Sequence, residues 1–315
     1  MRIRLITPAP PGSRNGNRTT AARWAGILRA LGHRLAVSTE YRGEAADLMI
    51  ALHAWRSADA VARFAEAFPG KPLIVALTGT DLYRFLDSHP EPTLRSIELA
   101  GRLVALHALA GERLAPDQRA KLRVIYQSAP PGLERAPLRR RFRVCVAGHL
   151  REEKDPLRPA LAVRELPASS RLEVRHYGKA HTPEWAEAAR AEMAVNPRYR
   201  WEGEVPYHRV RQAYARSHLL ALPSRMEGGA NVISEAVVAG LPVVASRIAG
   251  SVGLLGEDYP GYYPLGDESA LRELLLRAET EPAFYHELEA ASAARRGLFS
   301  AEAERDAWRA LLAEF

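Results

Sequence analysis

The chain has 315 residues, 47% of them apolar and 26% charged, and a formal net charge of +7. That length corresponds to about two domains, each large enough to bury its own core, and the composition excludes a disordered or collagen-like chain. A single cysteine, Cys145, excludes a disulfide scaffold and any cysteine-based zinc site. The longest apolar runs are strand-sized and too short to span a bilayer. Met1–Pro8 has no long apolar core of the secretory kind, so the expected location is the cytoplasm. Of the 44 basic residues, only Lys71, Lys121, Lys154 and Lys179 are lysine. The arginines are dispersed rather than gathered into a stripe, which argues against a nucleic-acid partner.

Taken in order, short β runs alternate with helix-period segments. Arg2–Thr7 reads as a first strand. After a Pro/Gly loop, Trp24, Ile27, Leu28 and Leu31 fall at i, i+3, i+4 and i+7, the stripe of an amphipathic helix. Gly32 ends that helix as a C′ glycine does. Strands are expected at Arg34–Ser38, Leu48–Leu52, Pro72–Leu77, Leu103–Leu106 and Leu122–Tyr126. Gln127–Gly132, with Pro130 and Pro131, breaks the pattern.

A second series restarts at Phe142–Ala147. It continues through Leu172–His176, Arg200–Trp201, Leu219–Leu222, Val243–Ala245 and Tyr262–Tyr263. This β-α-β rhythm predicts parallel sheets covered on both faces. Two Rossmann-like α/β domains follow, residues 1–135 and 136–298. A closing segment, 299–315, carries Trp308, Leu311, Leu312 and Phe315 on one stripe and is expected to pack back on the first domain.

Ligands in open parallel sheets bind at the carboxyl ends of the strands. The first strand of the second domain runs into Gly148-His149-Leu150-Arg151-Glu152-Glu153-Lys154-Asp155-Pro156. Gly148 permits close backbone approach. Arg151 and Lys154, expected just before a helix, suit a pyrophosphate. The alternative is a solvated turn, since Glu152, Glu153 and Asp155 offset the cations. After Leu219–Leu222 comes Pro223-Ser224-Arg225-Met226-Glu227-Gly228-Gly229-Ala230-Asn231-Val232-Ile233-Ser234-Glu235. Gly228 and Gly229 can present free N–H groups at a helix start, with Glu235 one turn inside. Glutamates at this spacing can accept hydrogen bonds from vicinal hydroxyls, although an acidic first turn alone would leave such a pair without function.

Together these segments resemble glycosyltransferase family 4, with its Glu-x7-Glu motif and its Arg/Lys pair. The resemblance implies the GT-B fold, two Rossmann-like domains with parallel sheets facing a central cleft. It places Glu227 on the donor hexose and Glu235 on the nucleotide ribose. Gly228, Gly229, Ala230 and Asn231 would supply amides, and Arg151 and Lys154 would hold the diphosphate. Glu204-Val205-Pro206 would grip the base, with Val205 at its centre. No metal or other cofactor is implied, and the chain has no Asp-x-Asp.

The first domain should bring the acceptor. Its first strand leads to Gly12-Ser13-Arg14-Asn15-Gly16-Asn17-Arg18-Thr19-Thr20. There Gly16, Asn17, Arg18, Thr19 and Thr20 suit a small oxyanion at a helix N-terminus. The plain alternative is a helix capped by Thr19 or Thr20. The other strands end at His53, at Thr78-Gly79-Thr80-Asp81, at His107 and at Gln127-Ser128. Five polar strand ends are expected to face one cleft.

A narrower resemblance rests on Gly16–Trp24, Ala51-Leu52-His53-Ala54, Leu77-Thr78-Gly79-Thr80-Asp81-Leu82-Tyr83 and Val146–Pro156. These runs resemble the selenosugar synthase family of selenoneine biosynthesis, over nearly the whole chain. That likeness implies transfer of N-acetylglucosamine or glucose from a UDP-sugar to selenophosphate, forming a carbon–selenium bond. Thr78 stands where family 4 often has histidine. On this reading Arg18, Thr78, Asp81 and Glu227 are the catalytic candidates, and His53, Thr78 and Thr80 line the acceptor beside Gly16–Thr20. Because selenophosphate arrives as an anion, the enzyme should need positioning and charge stabilisation more than a general base. The rivals are a hydroxyl or thiol acceptor and a UDP-sugar 2-epimerase, which would release UDP with no acceptor. A dinucleotide reductase is disfavoured, because the first strand–helix turn lacks Gly-x-Gly-x-x-Gly.

Overall fold

The structure is a computed structural model that describes residues 1–13 and 15–315. Arg14, part of the expected oxyanion loop, lies outside the described residues. The chain forms two compact units. The first comprises Met1–Gln127, Glu227–Gly229 and Ala301–Phe315, and the second Ser128–Met226 and Ala230–Ser300. No helix among the described residues is long and apolar enough to cross a membrane.

In the first unit six strands form one parallel sheet: β1 Arg2–Ile6, β2 Arg34–Ser38, β3 Leu48–Leu52, β4 Leu73–Ala76, β5 Arg102–Ala105 and β6 Leu122–Val124. Their order is β2-β1-β3-β4-β5-β6, with Ile3 beside Leu48 and Met49 beside Leu73. The central strands β3 and β4 are buried at every position. This is why they read as unbroken apolar runs, each face of the sheet being covered. On one face Ile3, Leu5, Ile50, Ile74 and Val104 pack with Trp24 and Leu28. On the other Met49, Val75 and Leu103 pack with Val61, Phe64 and Ile97.

The helix Gly16–Ala30 ends at Leu31, and Gly32 follows at φ +87°, the left-handed turn that glycine adopts without steric cost. The last helix, Ala301–Leu312, joins the first face. The Trp308 ring meets Trp24 edge-on at 4.8 Å. Buried Glu304 accepts from Trp24 Nε1 at 2.9 Å and from Arg23 Nε at 3.2 Å. Phe315 does not share the stripe expected of it. It lies beyond the helix and is 44% exposed.

The second unit repeats the architecture with β7 Phe142–Ala147, β8 Leu172–Tyr177, β9 Tyr199–Trp201, β10 Leu219–Leu222, β11 Val243–Ser246 and β12 Tyr262–Tyr263. The order is β12-β11-β10-β7-β8-β9, all parallel. In each sheet the chain builds outward on one side of its first strand and then on the other. The reversal falls between β1 and β3, and between β7 and β10. Crevices at such switch points are where α/β sheets take ligands.

Candidate active site

In the second unit, the loops after β7 and β10 leave the two strands at the switch point and are tied together by Arg225 N–H donating to the Glu153 carbonyl at 2.8 Å. The loop after β7 also runs beside the loop after β8. Leu150 N–H bonds the Lys179 carbonyl at 2.9 Å, and His181 N–H bonds the Leu150 carbonyl at 3.0 Å. Gly178 makes that approach possible, because a Cβ there would overlap the Gly148 carbonyl oxygen. His176 contacts the same oxygen through Nε2 at 2.9 Å. Burial pushes His176 down to about 4, so the ring is neutral and Nε2 carries the hydrogen that Gly148 accepts.

Arg151 and Lys154 precede a helix, as expected, but a turn separates them from it. They flank and close a 3-10 turn, Glu152–Lys154, after which Asp155 takes a left-handed conformation and pairs with Arg158 at 3.0 Å. The helix that follows, Arg158–Ala162, is short, so anion attraction here falls to the side chains rather than to a helix terminus. Arg151 Nε is buried and has no hydrogen-bond partner. It stands 3.9 Å from the Glu153 carboxylate, beyond hydrogen-bond reach. A desolvated guanidinium N–H left open on this loop is the feature an incoming diphosphate oxygen would satisfy. The His149 and His181 rings lie nearby, tilted against each other with centroids 5.2 Å apart. The His149 imidazole is held below its usual range by burial and then by His181 and Arg151.

After β10, Gly229 adopts φ +143° and the helix Asn231–Val238 begins directly after Ala230. Glu235 lies one turn inside it, as read from the sequence, and one carboxylate oxygen accepts from the Tyr214 hydroxyl at 3.0 Å. Burial and that carboxylate push the Tyr214 phenol well above its ordinary range, so it stays a donor and fixes the orientation of Glu235. Val205 is half-buried, and Pro206 caps the helix Tyr207–Arg216. Glu227 is buried and, with Gly228 and Gly229, groups with the first unit.

In the first unit, Thr19 and Thr20 are not caps. Asn15 caps the first helix, its Oδ1 accepting from Arg18 N–H at 3.0 Å, which places Gly16, Asn17 and both threonines inside the helix. The Asn17 carbonyl accepts from Thr7 at 3.5 Å. Thr19 is exposed and bonds back to the Asn15 carbonyl. Thr20 is buried and accepts from Gln127 Nε2 at 2.7 Å. The half-buried Arg18 guanidinium has no hydrogen bond or ion pair among the described residues.

The polar strand ends divide into two classes. His53, His107 and Gln127 are almost completely buried, contrary to the expectation that all five line a cleft. Each is turned inward to satisfy a neighbour: Gln127 to Thr20, and His107 Nε2 to the Tyr83 hydroxyl at 3.3 Å. Burial lowers His107 to about 4 and raises Tyr83 to about 12.

The His53 ring faces both Asp81 Oδ1, 2.6 Å from Nδ1, and Thr80 Oγ1, 3.1 Å from Nε2. Asp81 is wholly buried and accepts from the N–H groups of Ala54, Trp55 and Thr78 and from the Thr78 hydroxyl. With both oxygens occupied, Asp81 cannot touch a substrate, which corrects its assignment as a directly acting catalytic group. Thr78 spends its hydroxyl hydrogen on Asp81, while Thr80 remains half-buried. Among the described residues no group of three His, Cys, Asp or Glu side chains is placed to hold a metal.

Residues 135–279 match the family described as glycosyl transferases group 1. No curated protein matches the chain by sequence. Among solved structures, HepE of Anabaena in complex with UDP aligns with a TM-score of 0.78 at 15% identity, covering 100% of both chains. Sucrose-phosphate synthase of Thermosynechococcus elongatus aligns with the same score, identity and coverage. The lipopolysaccharide outer core galactosyltransferase WaaB aligns at 0.72 and 14%, again over 100% of both chains. The chain thus has the GT-B fold, and its second unit matches the group 1 glycosyl transferases.

Proposed function

We propose that the protein transfers a hexosyl group, N-acetylglucosamine or glucose, from a UDP-sugar to selenophosphate, with formation of a carbon–selenium bond. The observation that carries the donor half of this reading is the buried, unpartnered Arg151 Nε, at the switch point of a sheet whose sequence matches the group 1 glycosyl transferases. UDP bound to HepE of Anabaena, a structure of the same fold, supports the nucleotide. On this reading Arg151 and Lys154 take the diphosphate and stabilise the charge that develops on its β-phosphate. Glu235, oriented by Tyr214, takes the ribose, Val205 the base, and Glu227 with the amides of Gly228–Asn231 the sugar.

For the acceptor, the Arg18 guanidinium stands without an ionic partner among the described residues, at the first turn of an Asn15-capped helix. There charge and helix amides favour a small anion. The half-buried Thr80 adds a hydroxyl, and the sequence likeness to selenosugar synthases names the anion. No metal is called for, because the two cations neutralise the leaving diphosphate.

The test is UDP release from UDP-N-acetylglucosamine and UDP-glucose, measured with selenophosphate, with glycerol and with no acceptor. Release that depends on selenophosphate is expected. Equal release without acceptor would identify an epimerase or hydrolase, and release only with glycerol would identify a hydroxyl acceptor.

A further inference from the structure

We infer that His149 is a further nucleotide-binding residue, whose Nε2–H donates a hydrogen bond to an oxygen of the diphosphate. The inference rests on the donor half of the reading above and deepens it, adding an uncharged donor beside the cations Arg151 and Lys154.

The backbone places the hydrogen on this ring. Lys179 N–H donates to His149 Nδ1 at 3.1 Å. A nitrogen that accepts carries no hydrogen, so the ring is neutral and its one hydrogen sits on Nε2. Protonating Nδ1 would set two N–H groups against each other and break that bond. His149 is half-buried, and its Nε2 makes no hydrogen bond among the described residues.

The ring is also held in place. Gly148 N–H donates to the Tyr177 carbonyl and Leu150 N–H to the Lys179 carbonyl, both at 2.9 Å. The backbone on either side of His149 is therefore fastened to the end of β8 and the loop after it. The Gly148 carbonyl accepts from His176, and the His181 ring lies against His149. A donor fixed in this way loses little freedom when a ligand arrives.

The neighbouring charges indicate which ligand atom it meets. His149 lies on the loop that leaves β7 at the switch point, two residues before Arg151. Burial, His181, Arg151 and Lys154 all disfavour a charge on the ring, and Glu204 alone among its listed influences favours one. The nearby His176 ring is itself neutral. A third cation here would be repelled by Arg151 and Lys154, whereas a neutral N–H adds a donor without that cost. Two open donors on one loop, His149 Nε2 and the buried Arg151 Nε, suit an anionic oxygen. The plain alternative is that His149 only fastens its loop to Lys179 N–H. The two roles use different nitrogens, so substitutions separate them.

The test compares wild type, H149N and H149Q as full chains. Asparagine keeps an acceptor near the Nδ1 position and has nothing at Nε2; glutamine keeps a donor near Nε2 and has nothing at Nδ1. In calorimetry H149N should bind UDP and UDP-glucose about 10–150-fold more weakly than wild type, with the melting temperature of the nucleotide-free protein unchanged. H149Q should keep most of the affinity while melting lower. The reverse pattern, or unchanged UDP binding in H149N, would overturn the proposal. Uridine, followed by ligand-observed NMR, should bind wild type and H149N alike; a loss as large as that for UDP would overturn the assignment to the diphosphate. A second readout needs no ligand. Nitrogen-15 NMR at neutral pH should show His149 protonated at Nε2 and unprotonated at Nδ1, the signals being identified by their loss in H149N. An Nδ1–H tautomer or an imidazolium would overturn the proposal. Failure of the donor reading would show itself separately, as a wild type that binds no UDP although the Nε2–H tautomer is present, and would remove the proposed ligand with it.

Discussion

Replacing Arg151 by alanine should weaken nucleotide binding without weakening the fold, and both halves of that statement come from one atom. Arg151 Nε is buried without a hydrogen-bond partner, and an unsatisfied buried donor costs about 1–3 kcal/mol. The Glu153 carboxylate is 3.9 Å away, and the arginine side chain is 38% exposed, so that ion pair is screened by solvent and offsets little. Deleting the side chain in the protein without nucleotide should therefore leave the melting temperature unchanged or slightly raised. In the complex, the same deletion removes a charge-assisted hydrogen bond of about 1.5–3 kcal/mol, equivalent to about a 10–150-fold loss of UDP affinity. The two effects separate in a thermal-shift assay. With UDP at about a hundred times the wild-type Kd, wild type should gain about 2.7 kcal/mol and the variant about 1.4 kcal/mol or less. Calorimetry should give the same affinity ratio. Unchanged UDP binding in both R151A and K154A, or a nucleotide-free R151A protein that melts well below wild type, would refute the reasoning.

Because the Arg18 guanidinium has no partner among the described residues, R18A should cut turnover at least tenfold, about 1.4 kcal/mol of transition-state stabilisation; UDP affinity and melting temperature should not move, and a wild-type rate would remove Arg18 from the acceptor site. Turnover should survive EDTA, since Arg151 and Lys154 supply the positive charge; complete loss restored by magnesium or manganese would contradict this. Burial lowers His107, His176 and His218 to about 4. The unfolded chain then binds more protons between the ordinary histidine value and about 4, so stability should fall as pH drops through that window and be complete above it; a melting temperature constant across that range would show that these rings are not held neutral.

Much of this arrangement is legible in the residues. The strands are apolar runs bounded by Gly, Pro and charge, as in Leu48–Leu52 and Leu219–Leu222, because a parallel sheet covered on both faces allows no alternation. The loops after β7 and β10 announce themselves through Gly148, Arg151, Lys154 and the Glu227–Glu235 spacing. Side-chain direction is not legible. Nothing in Ala51-Leu52-His53-Ala54 signals that His53 takes a positive φ and turns its ring inward, since that depends on Asp81, which is distant in sequence. Tyr214 lies on a helix whose facing is set by packing, so its bond to Glu235 has no local signature. Asn15 does carry a local signal: a short polar residue directly before Gly16 is a favoured helix cap, and that cap puts Thr19 and Thr20 inside the helix rather than at its start.

The most direct measurement is high-resolution mass spectrometry of the products formed from UDP-N-acetylglucosamine or UDP-glucose and enzymatically generated selenophosphate. The account predicts UDP together with a hexose derivative bearing the selenium isotope pattern, formed only when enzyme and both substrates are present. A glycosylated alcohol from the same donors, with no selenium-bearing sugar from selenophosphate, would contradict it.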